Sequence, residues 1–233
     1  MIELELRNVT KRFGDLLALN NLTFKIATRK IIGVIGPNGS GKTVMVNVIT
    51  KIPYPSDYGE IIFNGINLKR FKSFDIVKIG ICRTFQTINV FPKLSVEQNI
   101  KASYAKVDES LLNEILEMFD LTRKRSEPAA KLNIYELKNL MIASCLATKP
   151  KLIILDEPLG GLSEHEAKIT LARINDINKR GISVIIIEHR IGELFKYLDL
   201  ERVLVLYKGS LLAQGSPDEI LNDKKVKVAY LGV

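Results

Sequence analysis

Eight consecutive residues near the N-terminus have the types and spacing that bind a chain of phosphates. The pattern is a glycine, four further residues and then Gly-Lys-Thr, in which backbone N–H groups curl around phosphate oxygens without Cβ atoms in the way. The lysine places a point charge against the outer phosphates, and the threonine hydroxyl is a ligand for Mg²⁺. The pattern predicts a site for a nucleoside triphosphate. Its residues are Gly36, Pro37, Asn38, Gly39, Ser40, Gly41, Lys42 and Thr43.

The segments on either side of this loop have the patterns that such a site needs. Ile31–Ile35 is a short apolar run typical of a buried strand. Val44–Ile49 predicts a helix, and the dipole of that helix would point its positive end at the anion. The alternative is a glycine-rich turn that matches by chance, on the order of once in a hundred such chains. The flanking strand and helix favour the phosphate site.

Two adjacent carboxylates form the second group of residues with predicted chemistry. Asp156 and Glu157 follow the apolar run Leu152–Leu155, at the end of a strand where ligands bind in open α/β sheets. Asp156 suits the coordination shell of Mg²⁺ through a water molecule, and Glu157 suits a general base that activates an attacking water. The alternative is a strand that ends in two solvated acids. The phosphate loop in the same chain favours the catalytic interpretation.

The two histidines have different expected roles. His189 follows the apolar run Ile185–Ile187 by one residue, so it stands at the end of another buried strand. By itself that position is typical of a structural histidine, but beside the phosphate loop and the carboxylates it predicts contact with the γ-phosphate. His165 stands in the first turn of a polar predicted helix, and we expect it on the surface.

The composition limits the class of protein. The chain has 233 residues, of which 46% are apolar, enough for one large domain or two small lobes. Its longest apolar runs are far shorter than the ~18 residues of a membrane span, so a soluble intracellular protein is expected. The net charge of +8 suits nucleic acid, an anionic membrane surface or a solvated basic face. Basic residues are scattered, so no nucleic-acid partner is predicted. Cys82 and Cys145 are expected to be buried reduced thiols.

Hydrophobic periodicity divides the chain into three predicted parts. Residues 1–86 and 149–215 contain apolar strands that alternate with helices, which implies a parallel sheet covered on both faces. Residues 87–148 carry helical periodicity and form a predicted insertion. Residues 216–233 contain two short terminal helices. Ser163 with Glu166, and Asn133 with Glu136, have the spacing of capping boxes at helix starts.

The order of these motifs resembles that of the ATP-binding subunit of an ABC transporter, from Met1 to Val233. Gly36–Thr43 stands at the Walker A loop, and the strand that ends at Asp156, with Glu157, stands at the Walker B motif. The resemblance implies an α/β fold of the P-loop NTPase type, the ABC cassette. Such a cassette has a RecA-like core, an N-terminal antiparallel β subdomain and an inserted helical subdomain. The resemblance also implies an ATPase that uses ATP and Mg²⁺.

Smaller motifs match the same family. Phe13 stands where the family places an aromatic ring that stacks on adenine, with a core phenylalanine as the alternative. Gln86 matches the Q-loop glutamine, which contacts Mg²⁺ and couples to the membrane subunit; a solvated loop glutamine is the alternative. Gly160–Ser163 stands at the D-loop and His189 at the switch histidine. The metal ligands that the resemblance implies are Thr43, Gln86 and Asp156.

Five segments narrow the resemblance to the ATPases of high-affinity branched-chain amino acid uptake, although ATPases that export lipopolysaccharide share part of the pattern. The implied partners are a second ATPase subunit, integral-membrane permease subunits and, indirectly, an external substrate-binding protein. The implied location is the cytoplasmic face of the membrane. The alternatives are a soluble ABC ATPase of translation or DNA repair and a regulatory module that no longer turns over. The segments are Gly80–Gln86, Phe91–Val96, Ile187–His189, Gly215–Ile220 and Val228–Gly232.

The chain departs from the family at the signature motif, which faces the ATP of the opposing subunit. That motif usually begins Leu-Ser-Gly-Gly-Gln, whereas here it is Leu132, Asn133, Ile134, Tyr135 and Glu136. Tyr135 replaces a glycine, so its ring must turn away or crowd the nucleotide. Ser163 and Arg190 also replace the usual residues of the D-loop and of the position after the histidine. These departures suggest an asymmetric heterodimer, with a homodimer as the alternative.

Overall fold

The computed structural model describes residues 1–104 and 106–231, and it contains an antiparallel sheet beside a larger, mostly parallel one. The antiparallel sheet has four strands in the order β2-β1-β4-β5. Its two long strands pair from Ile2 opposite Thr28 to Phe13 opposite Leu16. They therefore form a hairpin whose turn lies at the end that carries Phe13. The strands are β1 (Ile2–Phe13), β2 (Leu16–Thr28), β4 (Tyr58–Phe63) and β5 (Ile66–Asn67).

The larger sheet has six strands in the order β10-β9-β3-β8-β7-β6, and only β10 runs antiparallel to its neighbour. Every residue of its central strands β3, β7 and β8 is buried. The predicted parallel sheet with two covered faces is confirmed. The strands are β3 (Ile31–Ile35), β6 (Ile81–Arg83), β7 (Leu152–Asp156), β8 (Ser183–Ile187), β9 (Leu200–Tyr207) and β10 (Ser210–Gly215).

The register of the parallel strands brings the predicted site residues to one edge. Ile187 of β8 pairs with Val34 of β3 on one side and with Asp156 of β7 on the other. The segments that follow these strands therefore leave the sheet side by side. This is the edge at which parallel α/β sheets bind their ligands.

Successive residues of the central strands pack into two separate cores. Ile153 and Leu155 of β7 belong to a core shared with the helices between β6 and β7 and with the helix after β7. Leu152 and Ile154 belong to a core shared with the antiparallel sheet and the helix after β3. Side chains alternate across a strand, so a strand buried on both faces needs an unbroken apolar run.

Helix α1 begins two residues before the predicted Val44–Ile49 and ends one residue after it, and both predicted capping boxes are present. The additional helix α2 and the short strands β5 and β6 were not predicted, because their segments are too short to show a clear period. The helices are α1 (Lys42–Thr50), α2 (Ser73–Lys78), α3 (Val96–Ser103), α4 (Glu109–Met118), α5 (Ile134–Ala147), α6 (Glu164–Lys179), α7 (Ile191–Tyr197), α8 (Pro217–Asn222) and α9 (Lys224–Leu231).

The two cysteines are joined, which corrects the prediction of separate reduced thiols. Cys82 in β6 and Cys145 in α5 form a disulfide with Cα atoms 5.8 Å apart, across a sequence separation of 63 residues. Helix α5 packs against β6, and this brings the two side chains together. Neither cysteine has a neighbouring partner in the sequence, so spacing alone did not predict the bond.

Candidate functional site

A cleft of about 640 Å³ lies at the edge of the parallel sheet and contains most of the predicted site residues. Its wall is formed by the segment 38–44 of the phosphate loop and the start of α1, together with residues from five other segments. The predicted residues Phe13, Gln86, Glu157 and His189 all line it. The predicted residues Gly36, Pro37 and Asp156 and the signature segment Leu132–Glu136 do not line it. His165 is exposed on α6, as predicted.

The glycines of the phosphate loop are required by close packing in this fold as well as by the phosphates. Gly36 has φ 155°, and a Cβ there would lie 2.2 Å from the carbonyl oxygen of Leu206. Gly41 has φ 100°, and a Cβ there would lie 2.8 Å from the carbonyl oxygen of Ala18. Larger residues at either position would push the loop away from the strands that hold it. The loop therefore ends at α1 in a fixed orientation, with the N-terminus of α1 at the cleft.

Lys42 is held inside the loop. Its side chain is buried, and Nζ donates hydrogen bonds to the carbonyl oxygens of Gly36 at 2.7 Å and Pro37 at 3.1 Å. Burial lowers the pKa of the Lys42 ammonium, and the nearby charges of Glu157 and Asp156 act in the opposite direction. A phosphate oxygen in the cleft offers this ammonium a charged acceptor in place of neutral carbonyls.

The carboxylate of Glu157 contacts two other predicted site residues, Gln86 and His189. One carboxylate oxygen accepts a hydrogen bond from Nε2 of Gln86 at 2.8 Å, and the other lies 2.8 Å from Nε2 of His189. The backbone of Glu157 has φ 50°, a left-handed conformation that costs free energy in a residue with a side chain. The Nζ of Lys138, on α5, donates to its carbonyl oxygen at 2.9 Å. These contacts aim the carboxylate into the cleft.

Asp156 is buried immediately beside it. Its Oδ2 accepts a hydrogen bond from Arg83 at 3.4 Å, whereas its Oδ1 is buried and has no hydrogen-bond partner among residues 1–104 and 106–231. Burial raises the pKa of the Asp156 carboxyl, and the charges of Arg83 and Lys42 oppose that change. A buried carboxylate oxygen without a partner is costly unless a cation or a donor occupies the space in front of it.

Phe13 forms an aromatic platform at the opposite end of the cleft. Its ring is 41% exposed and meets the ring of Tyr54 edge to face, with centroids 4.9 Å apart. The Nζ of Lys11 lies 5.4 Å from the Phe13 centroid. An exposed ring supported by a second aromatic has the geometry to stack on a nucleotide base.

Two charged residues hold the turn that follows Glu157. Glu188 is buried, and its carboxylate accepts hydrogen bonds from the backbone N–H of Leu159 at 2.6 Å and of His189 at 3.1 Å. Burial raises the pKa of Glu188. Arg190 donates to the carbonyl oxygen of Leu162 at 2.9 Å. The residue that departs from the family pattern after His189 therefore braces the D-loop.

Sequence reasoning missed several side chains that position the site: Arg83, Lys138, Glu188, Asn47 and Tyr54. A signal was available for two of them. Arg83 stands in a short strand after two apolar residues, and Glu188 directly follows an apolar run. Charged residues in such places are almost always paired with another group. Lys138 lies on a helix whose neighbours cannot be read from the sequence.

The signature segment is folded as a helix start, and its tyrosine points inward. Asn133 caps α5 by accepting a hydrogen bond from the N–H of Glu136 at 2.9 Å. The hydroxyl of Tyr135 accepts a hydrogen bond from Arg173 of α6 at 2.6 Å, and its ring packs against the hydrophobic core. Ile134 is 52% exposed. The ring of Tyr135 therefore turns away from the exposed end of the helix, which was one of the two outcomes expected from the sequence.

Comparison with protein families matches residues 19–160, more than half of the chain, to the family described as "ABC transporter". The chain belongs to this family. Residues 210–233 match a model described as "Branched-chain amino acid ATP-binding cassette transporter", although Gly232 and Val233 lie outside the described residues. A probable branched-chain amino acid transport ATP-binding protein, LivG, of Archaeoglobus fulgidus is 32% identical, and the match covers 98% of this chain and 95% of that protein.

Solved structures of ABC cassettes have the same fold. A nucleotide-free ATP-binding cassette from an ABC transporter is 26% identical with a TM-score of 0.89, and the match covers 100% of both chains. A dimeric bacterial ABC transporter cassette is 25% identical with a TM-score of 0.80, and the match covers 91% of this chain and 97% of that one. The predicted fold class and family are confirmed.

Membership of the family gives the chain an activity. ABC cassettes bind and hydrolyse ATP, and they work as dimers with membrane permease subunits. The chain is therefore an ABC ATPase. Within residues 1–104 and 106–231, no helix is long and apolar enough to cross a membrane.

Proposed function

We propose that this ABC ATPase powers the import of branched-chain amino acids through a membrane permease. The observation that carries the ATPase part is the Glu157 carboxylate, held 2.8 Å from both Gln86 and His189 beside the phosphate loop. The cargo is supported by the match of residues 210–233 to a branched-chain amino acid cassette and by the similarity to LivG of Archaeoglobus fulgidus. These relatives favour a transporter subunit over a soluble ATPase of translation or repair.

In our proposal, the cleft binds each part of the nucleotide at a different group of residues. The phosphates lie on the N–H groups of Gly36–Thr43 at the start of α1, and Lys42 exchanges its carbonyl partners for phosphate oxygens. The adenine stacks on the exposed ring of Phe13. This placement puts the terminal phosphate between the loop and Glu157.

Mg²⁺ fits the residues at the phosphate end. The buried, unpartnered Oδ1 of Asp156 offers the hard oxygen ligand that this ion prefers, and Thr43 and Gln86 are the other proposed ligands. The ion, when bound with ATP, offsets the negative charge of the outer phosphates. Few protein groups would hold it, which is usual for Mg²⁺ sites that share the ion with a nucleotide.

Glu157 and His189 have different roles in the proposed hydrolysis of ATP. Glu157 accepts a proton from the attacking water and orients that water towards the terminal phosphate. His189 gives up its contact with Glu157 and donates a hydrogen bond to a γ-phosphate oxygen. Their present contact keeps both side chains in the cleft before the nucleotide enters.

The complete transporter in this proposal contains three kinds of partner. A second cassette supplies a signature to the ATP of this chain, and the permease subunits hold the pair at the cytoplasmic face of the membrane. An external binding protein delivers the cargo. Within this chain, residues 1–86 and 149–215 form the nucleotide-binding core, 87–148 the helical subdomain and 216–233 the terminal helices. Asn133 and Tyr135 in the signature favour an asymmetric pair.

Matched substitutions test the catalytic assignment. We expect Glu157→Gln to lower phosphate release from ATP by about a hundredfold or more while ATP still binds, because the general base is lost. His189→Ala should also lower turnover. Glu164→Gln and His165→Ala, on the exposed start of α6, are the controls and should leave turnover unchanged. Equal turnover by Glu157→Gln and the unmodified protein would refute the assignment.

A further inference from the structure

Arg83 is buried among the elements that carry all three proposed metal ligands. Its side chain is 5% exposed and that of Asp156 is 0% exposed. Arg83 is the last residue of β6, three residues before Gln86. The roles proposed for Glu157 and His189 do not involve this guanidinium. A buried charge is costly unless it is paired, so its partners indicate what it does.

The donors of Arg83 reach two different elements. One terminal nitrogen donates to Oδ2 of Asp156 at 3.4 Å, at the end of β7. The other donates to Oδ1 of Asn47 in α1 at 2.5 Å, and to the carbonyl oxygen of Ile52, just after α1, at 3.4 Å. Asn47 lies four residues, about one helical turn, after Thr43. One planar group therefore joins the helix of Thr43 to the strand of Asp156.

The same contacts decide which oxygen of Asp156 is free. Arg83 occupies Oδ2, and Oδ1 has no partner among the residues that the structure describes. An aspartate held by one oxygen presents the other in a fixed direction. A lysine has a single nitrogen and cannot span Asp156 and Asn47 with a rigid fork.

We propose that Arg83 is a positioning residue that sets the separation of Thr43 and Asp156 and aims Oδ1 of Asp156 at the metal ion of the ATP complex. This inference rests on the proposed function, because it assumes that Asp156 and Thr43 hold that ion. It assigns no contact with ATP to Arg83 itself. Arg83 acts through the groups that it holds, in the way that outer-shell residues orient metal ligands.

The bracing extends to the other end of the cleft. Nδ2 of Asn47 donates to the hydroxyl of Tyr54 at 2.8 Å, and the Tyr54 ring supports Phe13. The guanidinium of Arg83 lies 4.4 Å from the centroid of the Phe85 ring, next to Gln86. Loss of Arg83 should therefore loosen the metal end of the site first, while the direct phosphate contacts of Lys42 stay in place.

Metal binding to the ATP complex tests the proposal. Mn²⁺ serves as the probe, and its binding is measured by electron paramagnetic resonance in a Glu157→Gln background that prevents turnover. We expect Arg83→Lys to weaken Mn²⁺ binding to the ATP complex by 10- to 100-fold, the usual range for outer-shell changes. Binding of ATP without divalent metal should change by less than about twofold, because the phosphate loop is intact.

Two further variants complete the test. Asn47→Ala keeps the charge pair of Arg83 with Asp156 but removes the tie to α1, so it should weaken Mn²⁺ binding in the same direction. Arg70→Met changes an exposed arginine and should have no effect. If Arg83→Lys and Asn47→Ala bind Mn²⁺ as tightly as the parent, the role of Arg83 is refuted. If the parent binds ATP but its complex takes up no Mn²⁺, the metal site of the proposed function fails instead.

Discussion

At the scale of single residues, charged side chains are buried around the cleft and each is held from another element. Arg83 pairs with Asp156, Lys138 holds the carbonyl of Glu157, and Glu188 holds the turn after it. Removing one member of such a set leaves a charge or a polar group unpaired in a dry environment. These buried groups fix the orientation of two adjacent carboxylates, Asp156 and Glu157.

The aromatic platform leads to a prediction for one residue. Phe13→Ala should weaken ATP binding by about tenfold, the equivalent of one good aromatic contact, because the base loses its stacking surface. Binding of inorganic tripolyphosphate, which has no base, should not change. Both affinities can be measured by calorimetry. Phe74→Ala removes an exposed ring outside the cleft and serves as the control. An equal loss for both ligands would contradict stacking.

At the scale of elements, α5 connects three functional features along its length. Its first turn is the signature segment, Lys138 reaches the backbone of Glu157, and Cys145 near its end is bonded to Cys82. The proposed signature segment is therefore connected through α5 to the backbone of the proposed general base, Glu157. A shift of α5 would therefore move both the signature segment and the group that holds the backbone of Glu157.

The disulfide that ends this helix gives a stability prediction. Reduction should lower the free energy of unfolding by about 4 kcal/mol, because the bond closes a long loop in the unfolded chain. Urea unfolding with and without a thiol reductant measures the difference. The Cys82→Ser/Cys145→Ser variant should have the stability of the reduced chain, with and without the reductant. A stability of the unmodified chain that does not respond to reductant would contradict the prediction.

A ring of charges between α3, α4 and the loop at Arg125 gives a pH prediction. Hydrogen bonds from Arg125 and then from Lys101 lower the pKa of Glu97 from 4.5 to about 2. The folded pKa lies below the unfolded one, so this stabilisation is fully present above about pH 4.5 and is lost as the pH falls towards 2. Glu109 closes the ring by pairing with both cations.

A substitution in this ring of charges should make the free energy of unfolding depend less on pH between pH 4.5 and pH 2. Arg125→Met should lose less stability than the unmodified chain between pH 4.5 and pH 2, because Glu97 then titrates closer to its ordinary value. Urea midpoints across that range provide the measurement. Arg123→Met, at an exposed neighbouring position, should follow the unmodified curve. Parallel curves for all three proteins would show that the ring does not act on Glu97.

At the scale of the whole molecule, the half-site that we propose for this chain's own ATP keeps the residues of the family pattern, and the proposed signature segment departs from it. The phosphate loop, Glu157 and His189 share a cleft, whereas Leu132–Glu136 lies outside it on the exposed start of α5. Tyr135 packs its side chain against the core, and Ile134 is half exposed beside it. In our proposal, the altered segment is the one that this chain offers to a partner.

This arrangement predicts unequal turnover in a heterodimer with a cassette that has an unaltered signature. Glu157→Gln in this chain should abolish most of the turnover of the pair, because its own ATP meets the good signature. The matching change in the partner should leave most turnover in place. Steady-state phosphate release by the two reconstituted pairs gives the comparison. The reverse pattern, or equally fast turnover by a homodimer of this chain, would contradict the prediction.

Much of the candidate site was determined by the sequence alone, because its motifs are local. The phosphate loop between β3 and α1, the carboxylates after β7 and the histidine after β8 each depend on residues within a few positions of one another. The alternation of buried strands with helices then requires a parallel sheet, whose strand ends bring the three motifs to one edge. The capping boxes of α5 and α6 are local in the same way.

Only the tertiary structure decided which distant side chains meet. Arg83 faces Asp156 from 73 residues away, Tyr135 turns to Arg173, and Cys82 meets Cys145. Each pairing depends on how helices pack on the sheet, and the patterns that predict helices and strands do not contain that information. The sequence shows that Asp156 ends a buried strand. That Arg83 holds one of its oxygens while the other has no partner among the described residues follows from how β6, β7 and α1 pack together.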